Sequence, residues 1–167
     1  MSVDVKKLSQ FLVSAKRESF ASYKNVIDSP ERRSHKEIVY FPIPTEYYYI
    51  DSWTGFLQFA GNEEVRKGGI EGPTLWAMSY HGGMLDTFRD ENQANITYNQ
   101  LRKALLNIPE DLPLRGPKIL HGDLNKSFIY TNAVDGDITR FKGHEKIFFE
   151  ETEVYNLNYI GGLVISK

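Results

Sequence analysis

The sequence predicts an α+β fold with a largely antiparallel sheet. Two stretches place apolar residues at helical spacing, and seven or eight others place them at period two. Gly68-Gly69, Gly72-Pro73 and Asp135-Gly136 separate the latter as turns. A chain of 167 residues suits a single domain, 1–167, with a core that needs no staple.

The first helix is expected over Asp4–Arg17. Val5, Leu8, Phe11, Leu12 and Ala15 form its apolar stripe, Asp4 is the candidate N-cap, and Lys6, Lys7, Gln10 and Lys16 fall on the other side. Strands follow over Glu37–Phe41, Glu46–Trp53, Phe56–Val65 and Thr74–His81. Thr97 and Gln100 read as a T-x-x-Q capping box opening a second helix. Its face is Tyr98, Leu101, Ala104, Leu105 and Ile108, and Pro109 stops it. Strands resume over Lys126–Val134, Ile138–Phe149 and Val154–Ile160, with a short eighth at Leu163–Ser166. The segment Phe20–Lys36 is aperiodic and carries Arg32, Arg33, His35 and Lys36, the composition of a solvated loop.

Composition excludes several classes. No cysteine means no disulfide, thiolate nucleophile or Cys-ligated zinc. Twenty Lys+Arg against 22 Asp+Glu give no general pull toward nucleic acid or anionic lipid. The N-terminus lacks an apolar signal region and no apolar run reaches bilayer length, so a cytoplasmic protein without membrane or direct nucleic-acid contact is expected. His35, His81, His121 and His144 form no metal-ligand spacing, and no phosphate loop, nucleophile elbow or dinucleotide fingerprint occurs. Neither a metal nor a cofactor is expected.

The two halves, about 4–84 and 97–163, look alike. Tyr49, Gly55, Phe59, Gly61, Glu63, Tyr80, Gly82 and Gly83 have counterparts in Tyr130, Gly136, Phe141, Gly143, Glu145, Tyr159, Gly161 and Gly162. Trp76 matches Tyr155, Met78 matches Leu157 and Met84 matches Leu163 in the same order. A duplicated helix-plus-meander unit, αβββ-αβββ, forming a largely antiparallel sheet or a partial barrel, is the simplest account.

Alternation then assigns faces. Phe59, Gly61, Glu63 and Val65 share one side of their strand, as do Phe141, Gly143, Glu145 and Ile147, while Arg140, Lys142, His144 and Lys146 share the solvent side. Each half therefore sets a glutamate on its apolar face, where a carboxylate needs a partner. β-Bulges at Gly61 and Gly143 would instead turn both glutamates to solvent. Tyr47, Tyr49, Asp51 and Trp53 alternate against Phe128, Tyr130, Asn132 and Val134 in the other half. Arg115, in the rigid turn Leu114-Arg115-Gly116-Pro117, is positioned to pair with Glu63 or Glu145 or to clamp an anion. His81, at a strand end before Gly82-Gly83, is a further candidate.

These motifs resemble a bacterial and archaeal family of unknown function whose members occur alone or behind a helix-turn-helix domain. The resemblance is carried by Tyr49-Ile50-Asp51, Phe59-x-Gly-x-Glu63, Trp76-Ala-Met-Ser-Tyr80-x-Gly82, Pro113-x-Arg115-Gly-Pro117, Phe141-x-Gly-x-Glu145-x-Ile147 and Tyr159-x-Gly-Gly162. Trp76-Ala-Met-Ser-Tyr-His81-Gly-Gly followed by a helix is also similar to gyrase-inhibitor-like effector-binding domains. That likeness implies duplicated units around an aromatic pocket, with an acidic residue inside in multidrug-responsive members.

The expected function is a stand-alone effector-binding domain for a small aromatic or cationic ligand. Tyr49, Trp76, Tyr80, Tyr130, Tyr155 and Tyr159 would wall the pocket, with Glu63, Glu145 and Arg115 as polar anchors. The second class is a hydrolase or isomerase using Glu63 or Glu145 as general base, with His81 or Arg115 nearby. The third is a protein-interaction domain, acting as a homodimer or with a separate regulator partner.

Overall fold

The computed structural model describes residues 3–19, 26–122 and 127–165. Helix α1 (Val5–Glu18) begins where the sequence places it, with the Asp4 side chain accepting from the Lys7 amide at 3.1 Å. Leu8, Phe11, Leu12 and Ala15 are buried as expected, but so is Lys16. It stands four residues beyond Leu12 and extends the buried stripe, so its placement with Lys6 and Lys7 is corrected.

Helix α2 (Glu91–Leu106) starts before the predicted capping box. Asp90 is the N-cap, accepting from the Gln93 amide at 3.0 Å, and Glu91 adds a favourable charge in the first turn. Thr97 is buried in the helix interior beside Ala94, Tyr98 and Leu101, so T-x-x-Q caps nothing. A one-turn 3-10 helix, Asp86–Phe88, precedes α2.

The strands are β1 (Ile27–Asp28), β2 (Lys36–Tyr40), β3 (Tyr47–Gly55), β4 (Gln58–Lys67), β5 (Thr74–Met84), β6 (Ile119–His121), β7 (Phe128–Asp137), β8 (Arg140–Phe149) and β9 (Thr152–Leu163). Among the described residues they form one antiparallel sheet, in the order β1-β2-β3-β4-β5-β9-β8-β7-β6. The order is linear, so the sheet is open and the partial-barrel alternative is set aside. Leu163 is the last residue of β9 and no eighth strand follows it at Val164 and Ile165; Ser166 lies outside the described residues. Most of the expected Phe20–Lys36 loop is described, including β1 paired to β2, while residues 20–25 lie outside. Lys126 and Asp123 also lie outside.

Both helices pack on one face of the sheet and share its core. At the centre, β5 pairs with β9 so that Tyr80 faces Tyr159, Trp76 faces Leu163 and Met84 faces Tyr155. Those are the residue types matched between the two halves, met in reverse order about Tyr80 and Tyr159. The strands flanking this pair follow suit: Asp51 lies opposite Glu63 across β3 and β4, and Asn132 opposite Glu145 across β7 and β8. The register shifts fall between Val65 and Arg66 and between Ile147 and Phe148, one at each matched site and both beyond the glutamates. No bulge at Gly61 or Gly143 resets the alternation, and Glu63 and Glu145 point into the core. The two glycines serve a different purpose: the rings of Tyr80 and Tyr159 lie flat on them, where any Cβ would collide. None of the described helices is long and apolar enough to cross a membrane.

Candidate functional site

Five ionisable side chains converge on the helix-covered face at the middle of the sheet. The β8 carboxylate, Glu145, has no solvent exposure. Arg115, from the turn after α2, grips it with two hydrogen bonds, Nη2 to Oε1 at 2.6 Å and Nε to Oε2 at 3.1 Å. Tyr130 donates to Oε2 at 2.7 Å and Tyr155 to Oε1 at 2.9 Å. Burial and the Glu145 charge push both phenols well above their usual range. Burial opposes the Arg115 charge, and Glu145 overrides it and holds the guanidinium protonated. Beside this, Tyr159 donates to Asn132 Oδ1 at 2.7 Å and Asn132 Nδ2 donates to the Gly116 carbonyl at 2.9 Å. This half is a closed network in which each of these polar groups has a partner.

The first half of the chain sets its own charges beside this network. The Lys16 ammonium lies 2.5 Å from Glu63 Oε2 and donates a hydrogen bond to the Leu114 carbonyl at 2.6 Å. It also sits 5.6 Å from the centre of the Trp76 ring. Arg115 Nη1 lies 3.7 Å from Glu63 Oε1, so one guanidinium ties the two glutamates together. Burial lowers the Lys16 pKa, with Glu63 working against the shift. Where the second half has Asn132, this half has Asp51, which is 4% exposed. Tyr80 donates to Asp51 Oδ1 at 2.6 Å. Burial, and then the neighbouring Glu63 charge, raise the Asp51 pKa to about 7. Lys16 and Arg115 are matched by Glu63 and Glu145, and Asp51 is the carboxylate left over.

A cavity of about 80 Å³ opens over Asp51, between β3, β4 and β5 and helix α2. Its floor is Asp51, Tyr80 and Arg115, its walls are Trp53, Phe56, Phe59, Tyr98 and Leu101, and Arg102 stands with them. The walls brace one another through Tyr98, which meets Phe56 and Phe59 edge to face and donates to the Phe56 carbonyl at 2.6 Å. A smaller void of about 20 Å³ lies on the far side of Asp51 and Arg115, lined by Lys16, Ser19, Tyr49, Glu63 and Leu105. That volume holds about one water. A wider depression of about 380 Å³ over β7, β8 and β9 is lined in part by the exposed side chains of Asp135, Lys142 and Asn158.

The expected site residues thus divide. Tyr80 and Arg115 line the cavity, and Tyr49 and Glu63 line the void behind it. Glu145, Tyr130, Tyr155 and Tyr159 belong to the closed network, with no exposed edge on the cavity. Trp76 is wholly buried, donates to the Ile138 carbonyl at 3.1 Å and stacks on Phe141, a core role. His81 is corrected outright: it lies within β5, not at its end, and is exposed on the face away from Glu63. Period two forces this, because Tyr80 beside it points inward. Among the described residues no three His, Asp or Glu side chains converge as a metal site.

Sequence reasoning missed Lys16, Asp51, Phe59 and Tyr98 as site residues. Asp51 had a usable signal, since it alternates with Tyr49 and Trp53 and occupies the position of Asn132. Tyr98 had none, because its reach to the β3–β4 turn depends on how α2 lies on the sheet.

No curated protein and no solved structure matches the chain. A family model does, over residues 51–164, well over half of the sequence and from Asp51 through β9. The chain belongs to the family described as a domain of unknown function, DUF5680.

Proposed function

We propose that this chain is a small-molecule-binding domain whose site is the cavity over Asp51. The observation that carries the reading is the pairing of an aromatic-walled opening with a buried carboxylate that no cation of its own answers. Apolar walls with a few placed polar groups are the usual make-up of a ligand site. The enzyme alternative loses its histidine, since His81 and Glu63 are on opposite faces of the sheet.

The same chain is read as two copies of one unit. The register of β5 against β9 supports this, as do the matched register shifts and the matched seats of Tyr80 on Gly61 and Tyr159 on Gly143. Duplication explains why one half keeps a sealed network while the other, with Asp51 for Asn132 and Trp53 for Val134, is free to diverge into a site.

A fragment screen by thermal shift, with hits mapped by NMR, tests the assignment. Stabilising fragments should perturb Trp53, Phe59 and Tyr98. If no fragment stabilises the protein, or hits map to the depression over β7–β9, the site is wrongly assigned.

A further inference from the structure

We infer that the cavity takes an organic cation, a primary ammonium head on an aromatic or alkyl tail, bound by exchange for a proton on Asp51. The inference rests on the cavity being a ligand site and adds the charge class. Counting charges around Asp51 leads to it. Lys16 from α1 is engaged by Glu63 of β4, and Arg115 from the turn after α2 is held bidentate by Glu145 of β8. Tyr49 of β3 and Tyr80 of β5 are phenols whose pKa values burial drives upward, so they stay neutral. Arg102 of α2 lines the cavity too, but its Nη1 turns to Asn99 on the exposed helix surface at 2.7 Å. With Asp51 ionised the buried cluster holds three carboxylates and two cations; with Asp51 protonated it is neutral. An empty cavity therefore favours the protonated acid, and a ligand ammonium restores neutrality to the ionised one.

Hydrogen bonding points the same way. The bond that the described residues give the Asp51 carboxylate is the one from Tyr80 to Oδ1. An ammonium above the floor would meet the carboxylate below it and ring faces around it, the two partners a desolvated cation needs. Size sets the head group. A cavity of about 80 Å³ is roughly half of the 150 Å³ that accommodates benzene in an engineered protein interior. An ammonium with one or two carbons fits, and its tail leaves past Phe56, which is half-exposed at the mouth.

Asp51 near neutral titration supplies the exchange. On the pKa of about 7, roughly a tenth of the carboxylate is ionised at pH 6 and roughly nine tenths at pH 8. Cation affinity should therefore fall about tenfold from pH 8 to pH 6, with about half a proton released per ligand bound at pH 7.

The experiment is calorimetric titration of the full chain with three probes of matched shape: 3-phenylpropylammonium, 3-phenylpropan-1-ol and 3-phenylpropionate. Each is run at pH 6 and pH 8, in two buffers of different ionisation enthalpy. The inference expects the ammonium to bind at least tenfold more tightly than the alcohol at pH 8 and to lose about tenfold at pH 6, with about nine tenths of a proton released per ligand at pH 6 and about a tenth at pH 8. Asp51→Asn should erase the preference for the ammonium and leave the alcohol's affinity in place. That variant is a conservative one, because Asn132 already pairs with Tyr159 in the same way. Equal binding of ammonium and alcohol, or tighter binding of the carboxylate, overturns the cation inference and keeps the ligand site. Binding of none of the three to the wild type overturns both. The proton count needs no variant, so a poorly folded Asp51→Asn protein still leaves a decision.

Discussion

Asp51 is the residue on which the chemistry turns, and its cost to the fold is measurable. Its pKa is raised to about 7 in the folded protein and returns to about 3.9 on unfolding. Between those values the folded state holds a proton that the unfolded state has lost. Stability therefore falls as pH rises from about 4 to about 7 and is level above that. Asn cannot ionise, so Asp51→Asn should gain on the wild type across that window, by up to about 4 kcal/mol at pH 8. Urea unfolding of both proteins at pH 5 and pH 8 checks this; a difference that does not change with pH would contradict the burial of an ionising Asp51. Only part of this was legible in the sequence. Period two allowed Glu63 and Glu145 inside but left bulges at Gly61 and Gly143 open, and the strands, unbroken through both glycines, decide for the inside. Lys16 was misplaced because a lysine beside other lysines reads as solvent-facing until its partner Glu63, on a distant strand, is known to be buried.

At the scale of elements, the strands were easier to read than the helices' limits. Alternation is a local property, and β3, β4, β5, β7, β8 and β9 each overlap the stretch expected for them. At the start of α2 two capping patterns compete, Asp90 and Thr97-x-x-Gln100, and burial of Thr97 and Ala94 decides for the earlier one. The glycines of β4 and β8 are likewise explained only across strands. Since Tyr80 rests on Gly61 and Tyr159 on Gly143, alanine at either position must displace a ring and its hydrogen bond to Asp51 or Asn132. Gly61→Ala and Gly143→Ala should each cost about 1–3 kcal/mol by chemical denaturation. Losses near zero at both would mean the rings do not sit where they are described.

For the whole molecule, the consequence of the strand order is a sheet whose central seam joins its two halves. β5 and β9 are the longest strands and are flanked on both sides, whereas β1 and β6 are short edges. Amide hydrogen exchange should show the slowest protons in β5 and β9, protected together, and the fastest in β1 and β6. Halves that exchange independently, with the seam opening first, would contradict a single cooperative sheet. Along this seam Tyr80 faces Tyr159, Trp76 faces Leu163 and Met84 faces Tyr155, and the likeness of the two sequence halves did not foretell how differently they end. One half closes around Glu145 with Arg115, Tyr130 and Tyr155, and the other leaves Asp51 under an opening. That difference depends on side-chain volumes at matched positions and on the reach of α2 to the β3–β4 turn, neither of which a periodic pattern encodes.

A crystal structure of the protein with 3-phenylpropylammonium at pH 8 tests the assigned site most directly. The ammonium nitrogen should lie within hydrogen-bond distance of Asp51, with the alkyl chain leaving past Phe56 and the ring outside the cavity mouth. An empty cavity, or the ligand bound instead on the open face over β7–β9, would contradict it.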